Sequence, residues 1–557
     1  MIQVHPSNRK TRFTLWLSLG IASFLFAILL ITGSVCLDSE DDIYFLYRLA
    51  GEYGNNPTYF LHYNYGMHFL FAWPIAKLFS IGHMLNWYTI SLVLVQLTSF
   101  TFLCFIILSL HVRSKLSMTI IVLLFLLIEA PPLINLDFSR TSLIAAISGQ
   151  MGLLIIYGRS HLYFKDKTRK AVQFLSFMLI VIASLLRLHT TVWIGIMVVW
   201  LFMVLFPPLE WGKFMMKQAA IWLILSTLTW IQYLAYQKYS PDWNKEERFR
   251  NALFSYYNHP HIQNGLRGYK QELLGNSFIY DTAWVNENTL EVFASSQRDI
   301  HLNKKHFLSK SYWLFINERA GWLAVFTILA LLIVQSGWSV AKKWMIAISV
   351  PLIIFLILMS FFKITQGMTT TMLGFAFISV LLLYEETPEN TNNRKRTFVA
   401  ILLMLPSMLW LTIRLYSNIS YNQIEMVRTD SILAELQKNS STLFINASTD
   451  FPIKKYPIGY TPEKHPLGNL LHQPLIFTHT YPVIMDRMGI KNLMEEMPKN
   501  EKILLIGTRI HALKDYYEDV HHLKVDIIDS VPGFPVLKPY RVKVAAKPRS
   551  GEYIFKE

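Results

Sequence analysis

Charge is scarce in this chain of 557 residues. Only 16% of its residues are Asp, Glu, Lys or Arg, where a soluble globular protein carries about 25%. Cysteine is scarcer still. There are two, Cys36 and Cys104, too few for a disulfide framework. Both lie in or beside apolar runs, which fits small core side chains. The chain also lacks an internal repeat, a low-complexity linker and a glycine-rich phosphate loop. What remains is apolar: 53% hydrophobic and 14% aromatic residues, with a mean hydropathy of +0.32. This balance excludes a disordered chain, a coiled coil and an ordinary soluble enzyme, and implies a polytopic membrane protein.

A membrane-crossing helix needs about 20 apolar residues. Eleven segments qualify: 13–35, 84–110, 116–134, 141–158, 171–188, 190–207, 218–237, 320–337, 344–362, 369–384 and 397–414. The first is too long and too poorly flanked for a signal peptide, so it is expected to remain as an anchor. The net charge of +15 sits mostly on one set of connections. That set runs from Arg9, Lys10 and Arg12 through Arg113, Lys115, Arg159, Lys165, Lys167, Arg169 and Lys170. It continues through Lys213, Lys217, Lys342 and Lys343 to Arg394, Lys395 and Arg396. These are 17 basic residues, against five acidic ones in the same connections. Such asymmetry marks the cytoplasmic side, so the positive charge is a topology signal and implies no nucleic-acid partner. The N-terminus is expected in the cytoplasm of a multi-pass plasma (inner) membrane protein. The other side receives residues 36–83, 135–140, 238–319 and the C-terminal segment.

The expected fold is therefore all-α and polytopic over 1–414, followed by a soluble α/β domain over 415–557 on the extracytoplasmic side. The second part has the length of one small domain. It alternates charged helical stretches with short β-like runs at 442–445, 475–477 and 502–507.

The first outer loop carries the densest chemistry. Asp38, Glu40, Asp41 and Asp42 stand just past the first span. Carboxylates beside hydrocarbon are costly and point to function, and repulsion among them raises some of their pKa values, which suits a general base or a metal ligand. Helix capping is the competing reading, because Ser39-x-x-Asp42 fits a capping box. Beyond the cluster come His62-Tyr-Asn-Tyr-Gly66 and an apolar run from Met67 to Gly82. That run is short for a span and is read as a helix lying in the interface. A second acid, Asp137, sits in the tight turn Pro131-Pro-Leu-Ile-Asn-Leu-Asp-Phe-Ser-Arg140. It either caps the next helix or joins the first cluster.

An acidic pair in the first outer loop, interfacial helices behind it, another acid in the turn after the third span and a soluble domain after the last span form one pattern. It resembles the GT-C glycosyltransferases, membrane enzymes that use polyprenyl-phosphate-linked sugars. They include protein O-mannosyltransferases, aminoarabinose transferases and oligosaccharyltransferases. The pair here is Asp41-Asp42, where several relatives have Glu at the second place. The Lys-Pro-Pro element of the aminoarabinose transferases is absent, so the resemblance does not carry their lipid A substrate.

The resemblance implies an inverting transfer of a hexosyl or pentosyl unit from a polyprenyl phosphate or diphosphate. The acceptor is a glycan, lipid or protein on the extracytoplasmic face. It implies Asp41 as general base, with Asp42 as the close alternative and Asp137 in support. Some relatives use a divalent cation. Mg²⁺ or Mn²⁺ would then fall to Asp41, Asp42 and Asp137. Arg140, Arg187, His189 and Lys363 are the candidate partners of the leaving phosphate, because basic residues at that boundary run against the inside bias. Snorkelling to lipid headgroups is their alternative role. Arg319 is a weaker candidate of the same kind. His62 and Tyr65 are candidates for the sugar or acceptor pocket, with an interfacial aromatic belt the alternative for the tyrosine. The loop 238–319 holds Trp243, His259, His261 and Trp284, aromatic and imidazole groups suited to stacking on sugar. Three other readings compete: a polysaccharide polymerase or ligase, a transporter or flippase of lipid-linked sugars, and a binding partner without chemistry. Glu129 in the third span is the main feature favouring transport.

Overall fold

The computed structural model describes residues 8–51, 57–64, 66–110, 114–163, 166–206, 208–240, 338–361, 393–448, 451–472, 480–507 and 510–545. It also describes 243–245, 247–248, 250–251, 269, 272–273, 280–281, 327, 330 and 478. The expected spans 320–337 and 369–384 and the strand at 475–477 lie outside these residues, as do Tyr65 and Lys363, His259 and His261, Trp284 and Arg319.

The chain opens with α1 (Asn8–Ile31), which stops sooner than its apolar run predicts. Gly33 takes a left-handed φ of 64° there and donates to the Leu30 carbonyl at 3.2 Å, a helix-ending turn that glycine adopts without strain. Cys36 therefore leaves the span and enters a short strand, β1 (Cys36–Leu37). Next come α2 (Glu40–Ala50), which carries the acidic cluster, and α3 (Phe69–Ile81). With 13 residues α3 is too short to cross a membrane, yet Leu70, Trp73 and Ile81 face outward from it. That is the profile of an interfacial helix.

The bundle continues with α4 (Trp87–Leu110), α5 (Ser114–Leu124), a π-helical turn (Phe125–Glu129) and α6 (Ala130–Ile134). Strand β2 (Asn135–Leu136) follows, then α7 (Phe138–Tyr163), α8 (Asp166–Leu186), α9 (Leu188–Leu205) and α10 (Pro208–Tyr239). Seven helices among the described residues are long and apolar enough to span a membrane. They match the first seven expected segments, with the division between the fifth and sixth spans at Arg187 instead of His189. The protein is a multi-pass membrane protein.

Helix α7 is the most buried of the seven. It packs against α4, α8, α9 and α10. Its approach to α8 depends on Gly149, where a Cβ would stand 2.6 Å from the Ser176 carbonyl oxygen. Small residues of this kind let membrane helices touch backbone to backbone.

Two further helices, α11 (Trp338–Phe361) and α12 (Asn393–Lys438), contain the expected segments 344–362 and 397–414. Helix α12 runs unbroken for 46 residues, so the boundary drawn at 414/415 falls inside a continuous helix. Its apolar first part supports α5 and the π-helical turn. The polar second part leads into β3 (Leu443–Asn446), β4 (Tyr456–Pro457), β5 (Leu470–Leu471), α13 (Thr480–Met488), α14 (Leu493–Glu496), β6 (Ile503–Ile506), α15 (Leu513–Val520), β7 (Val525–Ile528) and β8 (Arg541–Val544). Strands β5, β3 and β6 form a parallel sheet, and β7 and β8 an antiparallel pair. All four residues of β3 and of β6 are buried, as a parallel sheet covered on both faces requires.

The two parts of the chain are stitched together. Strand β1 lies between β2, parallel to it, and β4, antiparallel to it. Around this seam Asn422 donates through its side-chain amide to Ser34 O, Ile134 O and Asn135 Oδ1 at 3.0–3.1 Å. Asn86 donates to Tyr460 O at 3.0 Å. One hydrophobic cluster runs from α2 and α3 into the C-terminal sheet.

Candidate active site

The seam fixes the position of α2. Ser39 is its N-cap, in extended conformation, and its Oγ accepts the Asp42 amide at 3.0 Å. The first turn of α2 therefore projects Glu40, Asp41 and Asp42 at the junction of the two parts of the chain, where acids also favour the helix dipole.

The four carboxylates meet four different environments. Asp38 is taken by two cations: Arg140 at 2.9 Å and Lys455, from the segment leading into β4. Lys455 also donates to Asn135 Oδ1 at 2.7 Å, and Arg140 donates to Asn135 O at 2.9 Å. Glu40 pairs with His472 Nδ1 at 3.0 Å, just beyond β5. Asp42 is fully buried and accepts from the Ser39 hydroxyl, the Tyr88 hydroxyl and the Phe138 amide, the last at 3.1 Å. Asp42 thus pins α2 to the start of α7. Burial and the neighbouring Asp137 push its carboxyl up, against the pull of those three donors.

Asp41 is the remaining member. It is partly exposed, and the influences on it are burial and charge, with no hydrogen bond among them. Burial raises its pKa. Glu40 and Asp137 add to the rise, and Arg250 and Arg187 oppose it. A carboxyl held above the usual range by burial, with two guanidiniums near it, is suited to accept a proton.

The cations are held in turn. Arg250 donates to His62 Nε2 at 2.6 Å. His62 is buried and stacks on Tyr44 with centroids 5.0 Å apart. Burial, reinforced by Arg250 and Arg48, drives its pKa well below the ordinary value, so the imidazole is neutral and can accept from Arg250. Arg187 caps the start of α9, lies over the Phe138 ring at 5.5 Å and donates to the Ser139 hydroxyl. Asp137 Oδ1 accepts the amides of Ser139, at 2.5 Å, and of Arg140, at 3.2 Å. Asp137 is thus a helix cap at the edge of the cluster.

The fold at this site matches a known one. The crystal structure of ArnT from Cupriavidus metallidurans bound to undecaprenyl phosphate aligns over 96% of this chain and 99% of its own, with a TM-score of 0.54 and 10% sequence identity. The chain has the fold of this ArnT. The apo state of the same ArnT aligns over 95% of this chain and 99% of its own at 10% identity, with a TM-score of 0.45. No protein-family model matches the chain, and no curated protein matches it by sequence.

On this scaffold the structure gathers Asp41, Asp42, Asp137, Arg140, Arg187 and His62 at one end of the bundle. His189 is exposed on the first turn of α9. Two of the three acids considered for a metal ion already have partners in the chain. Asp42 has both oxygens engaged and Asp137 is a cap. Among the described residues no group of three or more His, Cys, Asp or Glu side chains is placed to hold a metal ion.

Three residues at the site escaped the reading of the sequence. Arg250 could have been found, because it is a basic residue in the loop 238–319 and breaks the inside bias just as Lys363 does. Lys455 and His472 left no such signal, since they lie beyond α12, more than 400 positions from the acidic cluster.

Proposed function

We propose that this protein is an integral membrane glycosyltransferase with Asp41 as its general base. It would move a sugar from a polyprenyl phosphate or diphosphate to a glycan, lipid or protein acceptor on the extracytoplasmic face. The observation that carries the reading is the isolation of Asp41. Of the four clustered carboxylates, it alone has no hydrogen-bonding partner among the described residues, with Arg187 and Arg250 beside it. The likeness to an ArnT crystallised with undecaprenyl phosphate supports the donor class.

In the proposed reaction the acceptor hydroxyl or amide gives its proton to Asp41. The acceptor atom bonds to the anomeric carbon as the bond from that carbon to the phosphate oxygen breaks, which inverts the anomeric centre. The leaving phosphate takes the electron pair. Positive charge fixed in advance at that point lowers the barrier, and Arg187, Arg250 and Arg140 supply it. Arg140 is held by Asp38, and Arg250 by neutral His62. His189, Lys363 and Tyr65 are proposed to line the donor path. No step requires a metal ion.

The test is the Asp41→Asn variant in native membranes carrying a labelled polyprenyl-phosphate sugar pool. Transfer should stop while protein level and insertion stay normal. Full transfer by Asp41→Asn would sink the proposal.

A further inference from the structure

The part of the chain beyond α12 carries no motif of its own, yet two of its side chains reach into the acidic cluster. Lys455 occupies Asp38, and His472 occupies Glu40. His472 is almost completely buried. It is set against the edge of the Tyr44 ring, with centroids 6.1 Å apart, and against Phe451 at 5.0 Å. A histidine so enclosed loses much rotational freedom, and its Nδ1 is aimed at one carboxylate oxygen.

Glu40 is the natural competitor of Asp41. It is adjacent in sequence, sits on the same helical turn and is itself partly exposed. Two neighbouring carboxylates of equal freedom would share protons and substrate contacts between them. We propose that His472 is a positioning residue, which holds Glu40 out of the reaction and leaves Asp41 as the one open acid that meets the acceptor. This rests on the reading of Asp41 as general base. It gives the C-terminal part of the chain a place in the active site: selection of which carboxylate reacts.

Other groups facing this turn do not duplicate the task. Arg187 and Arg250 act on Asp41 through charge, Asp137 is occupied in capping, and Asp42 is fastened to Ser39, Tyr88 and Phe138.

The test reads the carboxylates directly and needs no substrate. Full-length protein in native membranes is treated with N,N′-dicyclohexylcarbodiimide, an apolar reagent for carboxyl groups, and label is assigned to residues by peptide mass spectrometry. In the unaltered protein Asp41 should take the label in preference to Glu40. In His472→Leu the ratio of label on Asp41 to label on Glu40 should fall about tenfold, the scale of one lost charge-assisted hydrogen bond. His472→Asn, whose amide N–H can stand near the position of Nδ1, should restore the ratio. His472→Leu should also slow sugar transfer, and adding Glu40→Gln to it should recover transfer by removing the competitor.

Unchanged labelling in His472→Leu would overturn the proposal. So would a His472→Leu defect that Glu40→Gln fails to relieve. Should His472→Leu fail to insert, Glu40→Gln alone decides: it should leave transfer and the labelling of Asp41 intact, and loss of either would overturn the proposal. Failure of the general-base reading itself would look different: Asp41→Asn would keep transferring sugar whatever the labelling pattern.

Discussion

Arg250 donates a 2.6 Å hydrogen bond to Nε2 of His62, so a residue beyond α10 is held at the active site by one from the first loop. The bond needs a neutral imidazole, which burial supplies. Both residues bear on Asp41: Arg250 through its charge, His62 by fixing where that charge stands.

Asp41→Asn is expected to lower transfer by at least about a hundredfold, the usual scale for loss of a general base. Asp42→Ala should behave differently. It strips acceptors from the Tyr88 hydroxyl and the Phe138 amide, and orphaned buried donors cost about 1–3 kcal/mol each. Lower thermal stability and lower yield should therefore accompany its loss of activity. Thermal melts of both purified variants separate the two roles; equal destabilisation would contradict the division.

The pH profile follows from the raised pKa of Asp41. The ionised form accepts the proton, so the rate should climb with pH through a midpoint above the ordinary value of about 4. Arg250 lowers that pKa, so Arg250→Gln should move the rising limb to higher pH. A limb that stays in place would show that Arg250 does not act on the base.

Lys455→Met should weaken the seam on which α2 is mounted. Arg140 remains at Asp38 in that variant, so the cost should be on the order of 2 kcal/mol, below the full cost of orphaning a buried charge. Limited proteolysis should then cut the C-terminal part away sooner. Lys455→Arg should behave nearly as the unaltered protein.

Chelation should leave transfer intact. Asp38 and Asp42 have both carboxylate oxygens engaged, and a divalent ion such as Mg²⁺ needs open oxygen ligands. Transfer in washed membranes should change by less than about twofold in excess EDTA. Loss of activity restored by added Mn²⁺ would refute this.

Glu129 should be dispensable for stability. It is fully buried in the π-helical turn, and neither carboxylate oxygen has a partner among the described residues. Glu129→Met, of similar volume, should raise thermal stability by about 1–2 kcal/mol. A fall in stability would mean that the carboxyl is doing work in the bundle.

The spans were legible because a membrane helix advertises itself in a single window of sequence. The cap of α2 was legible for the same reason, since Ser39 and Asp42 are three residues apart. The roles inside the acidic cluster were not. Asp42 is fastened by residues 46 and 96 positions away, and Asp38 and Glu40 by residues more than 400 positions away. No spacing rule reaches that far, so the sequence could pick out Asp41 and Asp42 but not the partners that hold Asp38, Glu40 and Asp42. The premature stop of α1 is a subtler miss. The expected span ran on to Val35, but the helix ends at Ile31 and the backbone turns at Gly33.

The strand trio β2, β1 and β4 also sets an order of assembly. Its pieces come from residues 36–37, 135–136 and 456–457, and closing so long a loop is slow. A ribosome must have passed residue 457 before the last strand can reach the first. Until the residues around it emerge, Asp38 and Glu40 lack Lys455 and His472. The nascent protein can thread its first helices into the bilayer while its acidic turn still waits for these partners.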